Sequence, residues 1–128
     1  MATNIKTLEV RYIVAGNPNT PKEVLTRLAQ DGLGSIRRRV AENPRTPVAI
    51  LTALASDSNL DVRISVAENP NAPVEVLEKL AYDEDLDVRY SVAENPHIPR
   101  ECLQILAMDE NPYVAHRAQK TLEGLASS

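Results

Sequence analysis

The sequence predicts an all-α fold, an α-solenoid of short two-helix repeats. Three observations carry this expectation. Prolines recur at Pro18, Pro44, Pro70 and Pro96, and again at Pro21, Pro47, Pro73 and Pro99, each set with a spacing of 26 residues. Apolar columns keep the same period: Ile36, Val62 and Val88 follow Val10, while Leu51, Leu77 and Leu103 follow Leu25. Within each unit the apolar residues fall at helical spacings on either side of the proline pair. The chain of 128 residues holds four full units, at 10–35, 36–61, 62–87 and 88–113. Residues 1–9 read as an N-terminal cap, with "NIKTLE" as its core. Residues 114–128 read as a degenerate fifth unit and C-terminal cap, with Lys120 and Glu123 on its polar side. All of it is expected to form a single repeat domain.

The first segment of each unit is "DVRISVA" in the third copy. Val62, Val66 and Ala67 share one helical face there. Ser35, Asp61 and Asp87 stand at its start as cap residues. The segment has room for about two turns, short enough to be wholly or partly 3₁₀. The string "VAENP", at 40–44, 66–70 and 92–96, ends it. A residue before proline is pushed out of the α region, and the proline has no donor to extend the ladder. The second proline suits the first position of the next helix. Thr20 and Thr46 precede it as caps, and "TPKE" fits a capping box. In "PVEVLEKLAYD", Val76, Leu77, Leu80 and Ala81 form one apolar face. The Asp column (Asp31, Asp57, Asp83 and Asp109) closes the unit.

Quoted as "VRxxVAxNPxxPxxxLxxLAxD", the unit resembles the leucine rich repeat variant family. The resemblance covers residues 10–113 and, weakly, the fifth unit. It implies a right-handed α-α superhelix in which 3₁₀ and α segments alternate. Some members of that family carry a Cys-rich iron–sulfur segment before the repeats. Nine residues precede the first unit here and none is Cys, so no cluster and no other cofactor is expected.

The repeated Glu42, Glu68 and Glu94 invite a catalytic or metal reading. Three copies of one carboxylate about a repeat apart cannot act as a pair, and no copy brings converging His or Cys ligands. A structural role fits better. A Glu in the last helical turn opposes the macrodipole and needs a partner. The column Arg11, Arg37, Arg63 and Arg89 offers one per unit, so a Glu–Arg ladder along the stack is expected. The Asn column reads as turn closure. Cys102 shares a column with Val24, Ile50 and Val76 and reads as core. His97 and His116 have no partner at a fixed spacing and read as solvated.

Two surface features remain. Arg37, Arg38, Arg39 and Arg45 form a basic cluster. Units one and two each carry net charge +1, unit three −5 and unit four −2, so the array is electrically polar along its length. The column Tyr12, Arg38, Ile64 and Tyr90 holds residues of the kind that anchor interfaces, and Tyr82 with Met108 forms a second such column. The expectation is a non-enzymatic scaffold that binds another protein through an extended face. One alternative is nucleic-acid binding through the basic cluster, weighed against an acidic total and no aromatic stacking set. Another is an enzyme-accessory or lyase-like helical-repeat protein. A cytoplasmic location fits the single cysteine. The opening "MATNIKTLEV" shows no signal-peptide pattern, and no apolar run approaches membrane-spanning length.

Overall fold

A computed structural model describes residues 7–126. Among them the regular structure is helical throughout. Four helices open the successive repeats: α1 (Leu8–Gly16), α3 (Gly34–Glu42), α5 (Leu60–Glu68) and α7 (Leu86–Ala93). Four more follow the proline pairs: α2 (Lys22–Leu28), α4 (Val48–Leu54), α6 (Val74–Leu80) and α8 (Arg100–Leu106). The last, α9, runs over Pro112–Ala126. The chain forms two compact units, residues 1–72 with α1–α5 and residues 73–128 with α6–α9. Residues 1–6 of the expected N-terminal cap, with the "NIK" of "NIKTLE", and Ser127 and Ser128 of the C-terminal cap lie outside the described residues.

In the first unit, α3 packs between α1 and α5, while α2 and α4 lie against α3 and α5. Ile36, Val40, Ala41, Val62, Val66 and Ala67 meet Leu25, Leu28, Leu51 and Leu54 in its core, all buried. In the second unit, α9 packs against α7 and α8. Val88, Val92, Leu103, Leu106, Val114 and Ala118 are its interior. No helix of seven to nine residues is stable alone in water. These exist because each buried Leu or Val contributes roughly 1.5–3 kcal/mol when its neighbours cover it. Val10 begins its column at 36 % exposure, whereas Ile36 and Val62 are fully covered. Stacking, rather than residue type, decides burial.

Helix boundaries depart from the sequence reading in several ways. The first segments are α-helical, not 3₁₀, and at eight or nine residues they are longer than the seven-residue second segments. Most of them start from a cap column two positions upstream of Ser35, Asp61 and Asp87, although Leu33 holds that place before α3 and makes no side-chain cap. Thr7 Oγ1 accepts from the Val10 amide at 3.2 Å. Asn59 Oδ1 accepts from the amides of Asp61 and Val62. Asp85 Oδ1 accepts from Asp87, and Asn111 Oδ1 from Tyr113 and Val114. Asp61 and Asp87 instead sit in the first turn, where their charge suits the helix dipole.

The second prolines also shift by one. Pro21, Pro47, Pro73 and Pro99 are themselves the N-caps, with extended ψ of 141–158°, and helix begins at the next residue. Thr20 and Thr46 therefore do not cap these helices. Their hydroxyls turn back and donate to the carbonyls of Val14 and Val40, at 2.5 and 2.6 Å. The asparagine stop is as expected: Asn17, Asn43 and Asn69 are extended C-caps, with ψ of 121–126°. Where the fifth unit loses Asn–Pro, nothing interrupts the ladder, and α9 runs on for 15 residues.

The cap assignment has a direct check. Asn59→Ala should lower unfolding stability by about 1 kcal/mol, whereas Ser35→Ala should stay within a few tenths. Denaturant titration of both variants distinguishes the two positions.

Candidate functional site

The repeated polar residues were the first candidates for chemistry, and their geometry shows what they bind. Asn43 is 1 % exposed. Its Oδ1 accepts from the Arg45 amide at 2.9 Å, closing the turn before the second proline. Its Nδ2 donates to two carbonyls of the preceding repeat, Ala15 and Asn17, both at 2.9 Å. Asn69 does the same: Oδ1 accepts from Asn71, and Nδ2 donates to Ala41 and Asn43 at 2.7 and 2.9 Å. The Ala15 and Ala41 carbonyls belong to the last helical turn, where no intrahelical donor reaches them. One side chain must accept locally and donate across the stack. Asn does both, while Asp has no donor at neutral pH. In the fifth unit Thr121 occupies this column, and its hydroxyl donates to Ala93 O at 2.6 Å. The sequence reading found turn closure but not the tie between repeats, and it missed Thr121.

Arg11, Arg37 and Arg89 of the arginine column pair with aspartate. Arg37 Nε and Nη2 meet Asp57 Oδ2 and Oδ1 at 2.7 and 3.2 Å, and Nη1 donates to Asp31 O at 2.7 Å. Arg89 repeats the fork on Asp109 at 2.8 and 3.2 Å, with Nη1 on Asp83 O. Arg11 bridges Asp31 at 2.9 Å, and Arg63 donates to Asp57 O. Each Asp carboxylate also accepts the amide two residues on, at Leu33, Asn59, Asp85 and Asn111. The expected rung between Arg37 and Glu42 is thereby corrected. Arg37 precedes Glu42 by five positions, off the i+3 and i+4 spacings that bring helix side chains together. Glu42 instead meets Arg38 and Arg39 of its own helix at 3.9 and 3.4 Å. Glu68 and Glu94 lie at the surface.

These forks shift the titration of both partners. The hydrogen bond to Asp57 raises the Arg37 guanidinium further above its usual range, and Asp109 does this for Arg89. Partial burial pushes the Asp57 carboxyl up. The bonds from Arg37 and the Asn59 amide, with the charges of Arg37 and Arg63, outweigh that and hold it below its ordinary value. Asp109 follows the same pattern through Arg89 and Asn111.

The remaining candidates lie apart. Cys102 is buried, and burial together with Glu78 pushes its thiol up, away from thiolate chemistry. His97 and His116 are exposed. Among the described residues no three His, Cys, Asp or Glu side chains converge as a metal-binding group. The same residues include no helix long and apolar enough to cross a membrane. Of the basic cluster, Arg37 is tied into its fork. Arg38 and Arg39 flank Glu42, and Arg45 is exposed. Arg39 also lies 4.8 Å over the Tyr12 ring. Its guanidinium also lies against Gly16, which in "VAGNP" stands where the other copies carry Glu.

Of the first variable column, Tyr12 is 36 % exposed, and Arg38, Ile64 and Tyr90 are half-buried. The second is far more open, with Tyr82 at 69 % and Met108 at 85 %. Sequence reasoning did not single out the exposed Ile13, Ile105 and Tyr113. Comparison of columns would have found Ile105, which replaces Arg27, Ala53 and Lys79.

Asn43→Ala should cost roughly 3 kcal/mol, because it strands two carbonyls and one amide in a buried place; chemical denaturation reads this. The depressed Asp57 and Asp109 contribute stability that is fully present above the unfolded carboxyl value of 3.8 and is lost as pH falls through the folded values. Unfolding free energy should therefore drop as pH is lowered from about 5, and Asp57→Asn with Asp109→Asn should flatten that slope.

The profile of the leucine rich repeat variant matches residues 8–32 and 60–85. Those segments hold α1–α2 and α5–α6, one pair of consecutive helices each. No curated protein matches the chain. The two matched segments share their proline, asparagine and leucine columns with the copies between and after them. In these two segments the chain is similar to the leucine rich repeat variant family.

Proposed function

We propose that this helical-repeat protein is a non-enzymatic cytoplasmic scaffold that binds another protein through exposed apolar positions of its repeats. One observation carries the reading: repeated polar side chains turn inward, while large apolar side chains stand exposed at some of the positions that vary. Asn43 and Asn69, and Arg37 and Arg89 through the Asp31 and Asp83 carbonyls, bond to the preceding repeat. Tyr12, Ile13, Tyr82 and Met108 stand exposed although no core position requires them. Exposed apolar side chains that adjoin in one patch mark interaction sites, and Tyr and Met suit such contacts.

The other readings find less support. Nucleic-acid binding would use the basic cluster, and Arg37 is already committed to Asp57. A cofactor or substrate site calls for convergent polar groups. The recess between α2 and α4, lined by Ala29, Ala49, Ile50 and Ala53 among others, has Asp57 as its one charged residue, and that carboxylate is held by Arg37.

Affinity capture from source lysate tests the proposal. Tyr12→Ala with Tyr90→Ala, or Tyr82→Ala with Met108→Ala, should reduce capture of a protein partner about tenfold or more. Arg38→Glu should leave it within about threefold. Capture that survives both apolar pairs, or that nuclease treatment abolishes, overturns the proposal.

A further inference from the structure

The second compact unit departs from the repeat in three columns at once. At the end of the second helix, Gln30 and Ser56 give way to Tyr82 and Met108. One turn earlier, Ile105 stands where Arg27, Ala53 and Lys79 precede it. In the loop that follows, Gly32 and Ser58 give way to Glu84 and Glu110. Apolar surface and negative charge are gained together in this unit.

These residues converge. Tyr82, Ile105, Leu106, Met108 and Glu110 line a recess of about 350 Å³ in the second unit. Glu84 follows directly on Asp83 of the same wall. The one cation in the wall, Arg89, is forked onto Asp109 and bonded to the Asp83 carbonyl. Ile105 is 45 % exposed, and Tyr82 and Met108 are more so. The surrounding charge is strongly negative. Residues 73–128 carry −6, with five Lys and Arg against eleven Asp and Glu, whereas residues 1–72 carry +2.

We infer that the Tyr82–Ile105–Met108 recess is a docking site for a short basic, amphipathic segment of a partner protein. This rests on the scaffold reading and names the chemistry of the partner. The recess holds one or two apolar side chains, which suits a linear segment better than a folded surface. Methionine and tyrosine adapt to varied apolar anchors. Glu84, Glu110 and the surrounding field attract Lys or Arg on the segment's other face, speeding encounter and selecting against acidic sequences.

The test uses the full chain and three labelled synthetic peptides read by fluorescence anisotropy. One places Leu and Lys on opposite helical faces, the second replaces Lys with Glu, and the third replaces Leu with Ser. The Leu–Lys peptide should bind at least about tenfold more tightly than either control. Tyr82→Ser with Met108→Ser should weaken it about tenfold, with the circular dichroism melt unchanged since both sites are exposed. Glu84→Gln with Glu110→Gln should weaken it about threefold and reduce its salt dependence. Equal binding of the Ser or Glu peptide, or indifference to Tyr82→Ser with Met108→Ser, overturns the inference. So does sedimentation showing that these two residues mediate self-association instead. If the peptide fails while lysate capture still depends on Tyr12 and Tyr90, this recess is wrong and the scaffold reading stands.

Discussion

The bond from the Asn column to the preceding repeat is the constraint on which the rest depends. Helices of seven to nine residues leave most of their terminal carbonyls without an intrahelical donor. Such ends cannot be buried unless something donates to them. Asn43 and Asn69 supply that donor from the neighbouring repeat while their Oδ1 atoms fix the local turn. One side chain thus couples the angle of a turn to the distance between repeats. Proline before and after it makes the coupling rigid, since the chain has little freedom between the two rings. Burying an unpaired amide or carbonyl costs about 1–3 kcal/mol, so the column tolerates few substitutes. Thr121 is one of them, retaining a donor where the turn itself has gone.

The Arg–Asp forks do a second job on the opposite end of each repeat. The Arg37 guanidinium joins the carbonyl of one loop to the carboxylate of the next, and Arg89 does the same in the second unit. A planar fork with several donors suits this, and a lysine in the same place would lose the bidentate geometry. Both ends of the repeat are then fixed by side chains that reach a neighbour. The exposed faces between them carry no such duty. Residues there can vary from copy to copy without loosening the stack, and they do: Gln30 and Ser56 against Tyr82 and Met108, Gly32 and Ser58 against Glu84 and Glu110. The division lets one chain present a neutral surface in some repeats and an apolar, acidic one in others.

Much of this was readable from the chain itself. The 26-residue period, the alternation of two helices, the stop at Asn before Pro and the core columns follow from local chemistry. A proline ring restricts its predecessor whatever the fold, and helical spacing of Val and Leu marks a buried face wherever it occurs. Cys102 was placed in the core by the same column logic, and it is there. Near misses came from chemistry shared between neighbouring positions. Asp61 and Asp87 look like caps, yet Asn59 and Asp85 two places earlier hold the amides, because either residue type can cap and only the backbone path chooses.

The sequence alone therefore determined the repeat, its period and its two-helix alternation, because each is set by steric and hydrogen-bonding rules acting over a few residues. Tertiary structure alone decided where the long polar side chains go. Arg37 meets Asp57 across 20 positions, and Asn43 meets Ala15 across 28. Such separations become distances of about 3 Å only once the helices of a repeat pack together, for Arg37, and one repeat stacks on the next, for Asn43. The same stacking left Tyr82 and Met108 in the open while covering Val62 and Val88, although all four are apolar. Exposure belongs to the packed array, and no property of the single residue foretells it.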